Sequence, residues 1–483
     1  MHDLVPYAVL LLVVSVAGLA AIASSRLSEW TRVPAPALFL VVAAVASDLV
    51  PRLGGLEVVT NQRLVTVALV IILFDGGMHI GWGRMRPNVA AVAWIGVAGT
   101  LVTMLATAWA AYALFGLPVE AALLLGAALA PTDPAVVFSV LGRREISGRS
   151  GTLLEGESGA NDPVGIALMV ALLGAGATWS SVGSVAGHFS MQMAVGALVG
   201  LGGGWLLLQV MRRVTLPSAS LYPVQTIAFA LGLYGLATVA EGSGYLAVFL
   251  AGILVGDERA PYKREIENFA GALAGVAEIV AFVILGLSVD LTDIAHSDSL
   301  WIGLGLSALL IVVIRPVSVG VLSLPIRLTR GERAFVLFSG LKGAVPILLG
   351  TYVLAEGVRN AEEIYQIIFV AVLVSVIVQG GLVPSAARVL GVPTRVVDPE
   401  PWALGMRFRT EPEGLHRYVV AAGSRAEGCS LADLDVGESF WVSMVSRSGR
   451  LVQVRGDTVL EAGDEVLALA DPGQPPDEVF GIG

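Results

Sequence analysis

"APTDPAVV", residues 130–137, interrupts a hydrophobic run that is otherwise long enough to cross a bilayer. Pro131 and Pro134 offer no backbone N–H and clash with the preceding turn, so a regular helix cannot pass through them. Lipid cannot satisfy the backbone groups freed there; such a break is tolerated only against protein or a cavity. A second run, "LKGAVPIL" at 341–348, is interrupted in the same way by Lys342, Gly343 and Pro346. Paired interruptions in corresponding halves of a chain predict an inverted-repeat secondary transporter with its site near the bilayer midplane.

Working outward, hydrophobic residues make up 55% of the 483-residue chain and charged ones 14%, which excludes an ordinary soluble protein. About 13 apolar segments can be cut from it, at 4–24, 34–50, 62–80, 89–115, 119–141, 151–174, 188–211, 222–241, 244–256, 270–290, 300–322, 333–355 and 363–388. Residues 4–24 lack a basic leader and a clear cleavage site and read as a retained span. Spans 1–6 and 8–13 form the two repeats, so each broken helix is the fifth of its half, and the two cross. The expected fold is therefore an all-α polytopic membrane protein, with a small α+β domain after it.

Loop charges test the partition independently. With the N-terminus outside, the inner loops carry 17 basic residues, among them Arg84, Arg86, Arg143, Arg144, Arg149, Arg212, Arg213, Lys263 and Arg264. The outer loops carry three: Arg52, Arg63 and Arg359. This bias predicts a cytoplasmic C-terminus and a plasma-membrane protein of odd span number. Residues 396–483 hold seven basic and 15 acidic residues, which argues against nucleic acid as a partner. The single cysteine, Cys429, allows neither a disulfide framework nor a cysteine-based metal site.

Charges remain inside the membrane: Asp75, Asp133, Glu157, Asp162, Glu278, Arg315 and Lys342. An ionised side chain at the bilayer centre costs about 2.5–3.5 kcal/mol on insertion scales. One alone reads as a helix-end ion pair or a polar helix contact, and Glu278, amid "GVAEIVAF", is open to that reading. Glu155 reads as interfacial. Several together beside two broken helices point to an ion pathway. In "GESGANDPVGIALM" (156–169), Ser158 and Asp162 are four residues apart and share a helix face. Both can turn towards Thr132 and Asp133. Carboxylate, hydroxyl and freed carbonyl oxygens suit a hard monovalent cation. A carboxylate that holds either a proton or a cation, but not both, is sufficient for exchange.

Together "GESGANDPVGIALM", "APTDPAVVFSVL", "IILFDGGM", "VIRPVSV" and "GLKGAVPI" resemble the cation:proton antiporter superfamily, in its electroneutral branch with an Asn-Asp motif. The resemblance covers residues 4–390. It implies that Asp162 is the ion- and proton-carrying carboxylate, with Thr132, Ser158 and Asp75 as further cation ligands. It also implies that Asn161 and Asp133 cross-link the broken helices, that Glu157 pairs with Arg315, and that Lys342 supplies charge compensation. Two departures stand out. The family usually has Glu where Asp75 stands and Arg where Lys342 stands. Lys263 and Lys342 are the only lysines beside 27 arginines, so Lys342 is conspicuous. It is open between a neutral drift substitution and a choice of the one cation that can also exist neutral inside a protein.

The composition changes at 391–404, a Pro- and charge-containing linker between a transmembrane domain at 1–390 and a domain at 405–483. The last domain is a run of short β-rich segments, and "GDTVLEAGDEVLALA" (456–470) resembles the C-terminal regulatory module of potassium-conductance regulators (RCK-C, TrkA-C-like). The combination is similar to bacterial potassium/proton antiporters; a Na⁺/H⁺ antiporter of the same fold is the alternative. About 75 residues is small for an independent core, so pairing with a second copy, as a homodimer, or a small regulatory ligand is expected there. No cofactor is called for beyond the transported K⁺ or Na⁺ and H⁺. A channel lacks its "TVGYG"-like filter. An ATP-driven pump lacks its phosphate loop. A serine protease at Ser158 would need a histidine beside it, and His79, His188 and His296 all fall near span ends.

Overall fold

The computed structural model describes residues 34–50, 57–141, 144–146, 149–178, 181–257, 262–396, 415–434, 440–447, 450–469 and 477–480. The expected first span, 4–24, lies outside these residues. Two compact units divide the chain, Met1–Val397 and Asp398–Gly483.

The first unit is helical. Its crossing segments are α1 (Ala35–Leu49), α2 (Val58–Met85) and α3 (89–115), then the interrupted pair α4 (Val119–Leu129) and α5 (Ala135–Leu141). There follow α6 (Arg149–Ala175), α7 (Val182–Arg213), α8 (Leu221–Val239), α9 (Gly244–Gly256) and α10 (Lys263–Leu287). After the short α11 (Leu291–His296) come α12 (Asp298–Leu322), the second interrupted pair α13 (Arg330–Phe338) and α14 (Ala344–Ala355), and α15 (Ala361–Val389). Among the described residues seven helical runs are long and apolar enough to cross a membrane, the longest, Val58–Phe115, containing both α2 and α3. The short ninth span is a helix of its own, parted from α8 by a turn in which Glu241 takes a left-handed conformation. Trp109, Leu198 and Trp205 stand more than half exposed, as side chains facing lipid must.

A strand pair ties distant parts of this unit together. β1 (Arg144–Ile146) follows the first broken pair, and β2 (Thr394–Val396) follows α15; they are antiparallel, Arg144 opposite Val396. The ends of the fifth and thirteenth spans therefore lie on the same side. That is what eight crossings between them require. Of the expected linker, 391–404, residues 391–396 are described and fall in the first unit, 394–396 as β2, whereas 397–404 falls outside the described residues.

Small residues let helices meet closely. Gly196, Gly200 and Gly204 of α7 lie at four-residue spacing, and a methyl at any of them would come within 2.9 Å of the α9 backbone or its Ser243 cap. Three helices carry a π-turn, at Trp94–Gly99, Leu310–Ile314 and Ser375–Gln379. Such turns re-aim side chains and concentrate at functional sites. Each of these borders the charged interior described below.

In the second unit β3 (Leu415–Val419), β4 (Trp441–Arg447), β5 (Arg450–Val452) and β6 (Glu465–Leu469) form an antiparallel sheet in the order β3-β6-β4-β5. Its core holds Tyr418, Val445, Leu460, Val466 and, from the helical turn α16 (Asp477–Phe480), Phe480, whose ring stacks on Tyr418 at 4.7 Å. Arg447 binds the buried Asp464 and Glu461 beside this core. Burial pushes the Asp464 carboxyl up, but the Arg447 hydrogen bonds and charge and the Glu461 backbone N–H outweigh it and hold it below the ordinary carboxylate range.

Candidate cation site

The first break, residues 130–134, crosses the face of α6. Three-to-four-residue spacing brings Ser158, Asn161 and Asp162 onto that face, and all three are buried. The Ser158 hydroxyl donates to the Thr132 carbonyl at 2.6 Å. Asn161 closes a two-point clamp: its Oδ1 accepts from the Thr132 backbone N–H at 3.3 Å, and its Nδ2 donates to the Thr132 hydroxyl at 2.8 Å. Asp162 is 7% exposed, and its Oδ1 is buried without a hydrogen-bond donor among the described residues. A carboxylate oxygen left bare beside a hydroxyl and a freed carbonyl is a ligand set for a bare cation or a proton.

The charges around this centre complete the helix ends that the breaks leave open. Lys342 Nζ donates to the carbonyls of Pro131 at 3.0 Å and Ala130 at 3.3 Å, where α4 stops. Arg315, at the end of a π-turn, donates through Nε to the Leu337 carbonyl at 3.0 Å and through Nη2 to the Val336 carbonyl at 3.2 Å, where α13 stops. Its other face meets Glu157 at 3.0 Å and 3.2 Å, one bond to each carboxylate oxygen. Each half-helix C-terminus therefore meets a cation, the sign its dipole calls for. Asp133 serves the opposite ends: its Oδ1 accepts from Ala135 N–H at 2.8 Å, and a side chain on Gly343, just before α14, would collide with its carboxylate. The two breaks are joined directly by the Asp133 N–H, which donates to the Leu341 carbonyl at 2.8 Å.

The family "Sodium/hydrogen exchanger, transmembrane" matches residues 12–389, and "TrkA-C domain" matches residues 415–474. This chain belongs to the sodium/hydrogen exchanger family. It is a multi-pass membrane antiporter exchanging a monovalent cation for protons, a transporter and not an enzyme. It is 32% identical to the K(+)/H(+) antiporter NhaP of Alkalimonas amylolytica, over 97% of this chain and 82% of that one. With the K(+)/H(+) antiporter NhaP2 of Shewanella oneidensis it shares 31% identity, over 92% of this chain and 78% of that one. The exchanger's fold matches that of the sodium proton antiporter MjNhaP1 from Methanocaldococcus jannaschii, with a TM-score of 0.66 at 20% identity, covering 79% of this chain and 98% of that one.

Within the exchanger, Thr132, Asp133, Ser158, Asn161, Asp162 and Lys342 come together at the first break, with Glu157 and Arg315 bonded to each other at the second. Asp75 does not join them through any hydrogen bond or ion pair among the described residues. Its Oδ2 lies 3.3 Å from His79 Nδ1, one turn along α2. Glu278, on α10, makes no ion pair among the described residues. The His79 ring is engaged with Asp75 and the His296 ring with its own helix, so neither serves Ser158 as a base. Two contributors were not singled out in the sequence. Ser375 accepts from the Lys342 backbone N–H at 2.9 Å, and the Gln379 amide donates to the Phe338 carbonyl. They are two polar residues four apart in the apolar "LVSVIVQGG", a signal of the same kind as Ser158 and Asp162 but without charge.

Proposed function

We propose that this antiporter exchanges K⁺ for H⁺, one for one, across the plasma membrane, with Asp162 carrying either ion in turn. The observation that carries the reading is the bare Asp162 oxygen on the face of α6 whose Ser158 hydroxyl, one turn earlier, bonds the Thr132 carbonyl at the helix break. Thr132 and Ser158 supply neutral oxygens, Asn161 holds Thr132 in position, and Asp133 and Lys342 neutralise helix ends instead of carrying ions. Glu157 and Arg315 form a structural ion pair. With a single bare carboxylate at the centre, a bound cation must leave before the proton enters, and no net charge moves. Asp75, with Oδ2 beside His79 and Oδ1 bare among the described residues, lines the access path and can lend that oxygen to the cation on its way in.

The names of the curated relatives favour K⁺, although the structurally matched protein is a sodium proton antiporter. The arginine-rich loops support an outer N-terminus and a cytoplasmic C-terminus. Residues 1–390 carry transport, 391–404 connect, and 405–483 regulate, pairing with a second copy or binding a small molecule. Neither a cofactor nor nucleic acid enters the scheme.

Everted vesicles containing the full chain test this. Dissipation of an imposed pH gradient should respond to KCl at lower concentration than to NaCl, and should be insensitive to membrane potential. Asp162→Asn, which keeps the shape and removes the exchangeable charge, should abolish the response to both salts. Coupled flux near the native level in that variant would remove Asp162 from its role.

A further inference from the structure

Glu278 has no part in the site as described, yet it sits at the same depth. It is fifteen residues into α10, and Asp162 is thirteen residues into α6. At ~1.5 Å per residue these are about 22 and 20 Å from ends on the same side, because three crossings separate the two helices. Its Oε1 is buried and accepts no hydrogen bond from any described residue. Among the described residues Asp133, at the first break, is the charge within electrostatic reach, and it is of like sign. The basic residues of α10, Lys263 and Arg264, lie in its first turn. Neither an ion pair nor a donor therefore accounts for a carboxylate in the membrane interior.

Among the described residues, nothing packs closely on the face of α10 leading to Glu278. Gly271, Gly275 and Glu278 fall at i, i+4 and i+7, on one side of the helix. Among the described residues a methyl on Gly275 would meet nothing within 4 Å, and one on Gly271 would find Asp75 Oδ1 nearest, at 3.8 Å. Below them opens a cavity of about 560 Å³, lined by His79, Arg84, Asp257, Glu267 and Asn268 among others. A strip without side chains thus runs from this polar cavity, past Asp75, to Glu278.

We infer that Glu278 is a positioning residue for the transported ion: it draws a partly hydrated monovalent cation along the Gly271–Gly275 strip and delivers it opposite Asp133, for capture at Asp162. This rests on the reading of Asp162 as the carrier. The two can be separated in proteoliposomes containing the full chain. In Glu278→Gln the KCl concentration for half-maximal exchange should rise about tenfold, equivalent to 1.4 kcal/mol of capture, with a much smaller change in maximal rate. Glu278→Asp, which keeps the charge, should recover most of the loss. Gly275→Leu fills the strip without touching a charge and should raise the half-saturation concentration too. An unchanged half-saturation concentration in Glu278→Gln overturns the inference. Should that variant fail to insert, an unchanged value in Gly275→Leu overturns it equally. An inactive Asp162→Asn beside either of these results sinks this inference alone, whereas an active Asp162→Asn sinks the parent reading.

Discussion

The two breaks present one physical problem, and the molecule solves it with two different cations. At each, a half-helix ends in the membrane interior with carbonyls that have no helical partner and a dipole that is negative there. At the second break Arg315 bonds the carbonyls of Val336 and Leu337 while Glu157 holds its other face. At the first, Lys342 bonds the carbonyls of Ala130 and Pro131, and no carboxylate among the described residues stands within ion-pair distance of it. The planar, five-donor guanidinium holds carbonyls and a carboxylate together in a fixed fork, whereas the three rotatable donors of the ammonium are turned to carbonyls. The second break is therefore a locked scaffold. The first leaves its cation unpaired and within electrostatic reach of Asp162, the carboxylate that the proposed scheme loads and unloads.

The largest expected effect attacks the locked side. Replacing either Glu157 or Arg315 by Gln strands one buried charge and should cost about 3–5 kcal/mol of stability. Replacing both should cost less than either alone. A thermal-shift series in detergent decides it, and equal losses in single and double variants would dissolve the pair. Next comes the open side. Lys342→Gln withdraws the charge from two carbonyls but strands no carboxylate, so its cost should be about 1–3 kcal/mol. Lys342→Arg should restore that stability. If Lys342→Gln proves as damaging as Arg315→Gln in the same series, the two breaks do not differ as argued.

The smallest effect is expected in the C-terminal domain, where Arg447 and Asp464 form the same kind of contact close to water, with Arg447 32% exposed. The Asp464 carboxyl is held below its ordinary value, so its stabilisation is complete above the unfolded value of about 3.9 and fades as the pH falls through the lower folded one. Hydrogen exchange in β3, β4 and β6 should be modestly faster in Asp464→Asn at neutral pH. The two proteins should converge only as the pH drops below about 4. A difference that persists in strong acid would show that the aspartate acts through packing and not through charge.

Much of this arrangement was legible in the residue order. Pro131 and Pro134 lie in the first break and Pro346 in the first turn after the second, where a missing N–H and a fixed φ suit a helix start. Pro163 and Pro384 lie within continuous helices, so the break needs the closely spaced pair and its polar neighbours. Ser158, Asn161 and Asp162 share a face because helical periodicity is a property of the chain itself. The partition into spans put the ends of the fifth and thirteenth on one side, as the β1–β2 pairing requires, and Gly/Asp-bounded β-rich runs announced the small sheet after the last span. Other features belong to tertiary structure alone. Asp75 reads in the sequence as one more cation ligand, and only the fold shows that one of its oxygens lies beside His79 while the other is buried with no partner among the described residues. Lys342 reads in the sequence as charge compensation, and only the fold shows that its donors go to the two carbonyls at the end of α4. Ser375 and Gln379 enter the site only because a π-turn rotates them towards the second break. Periodicity decides which residues share a face of one helix. Which partner that face meets depends on crossing angles and on local π-turns, and these are set by packing among residues far apart in the chain.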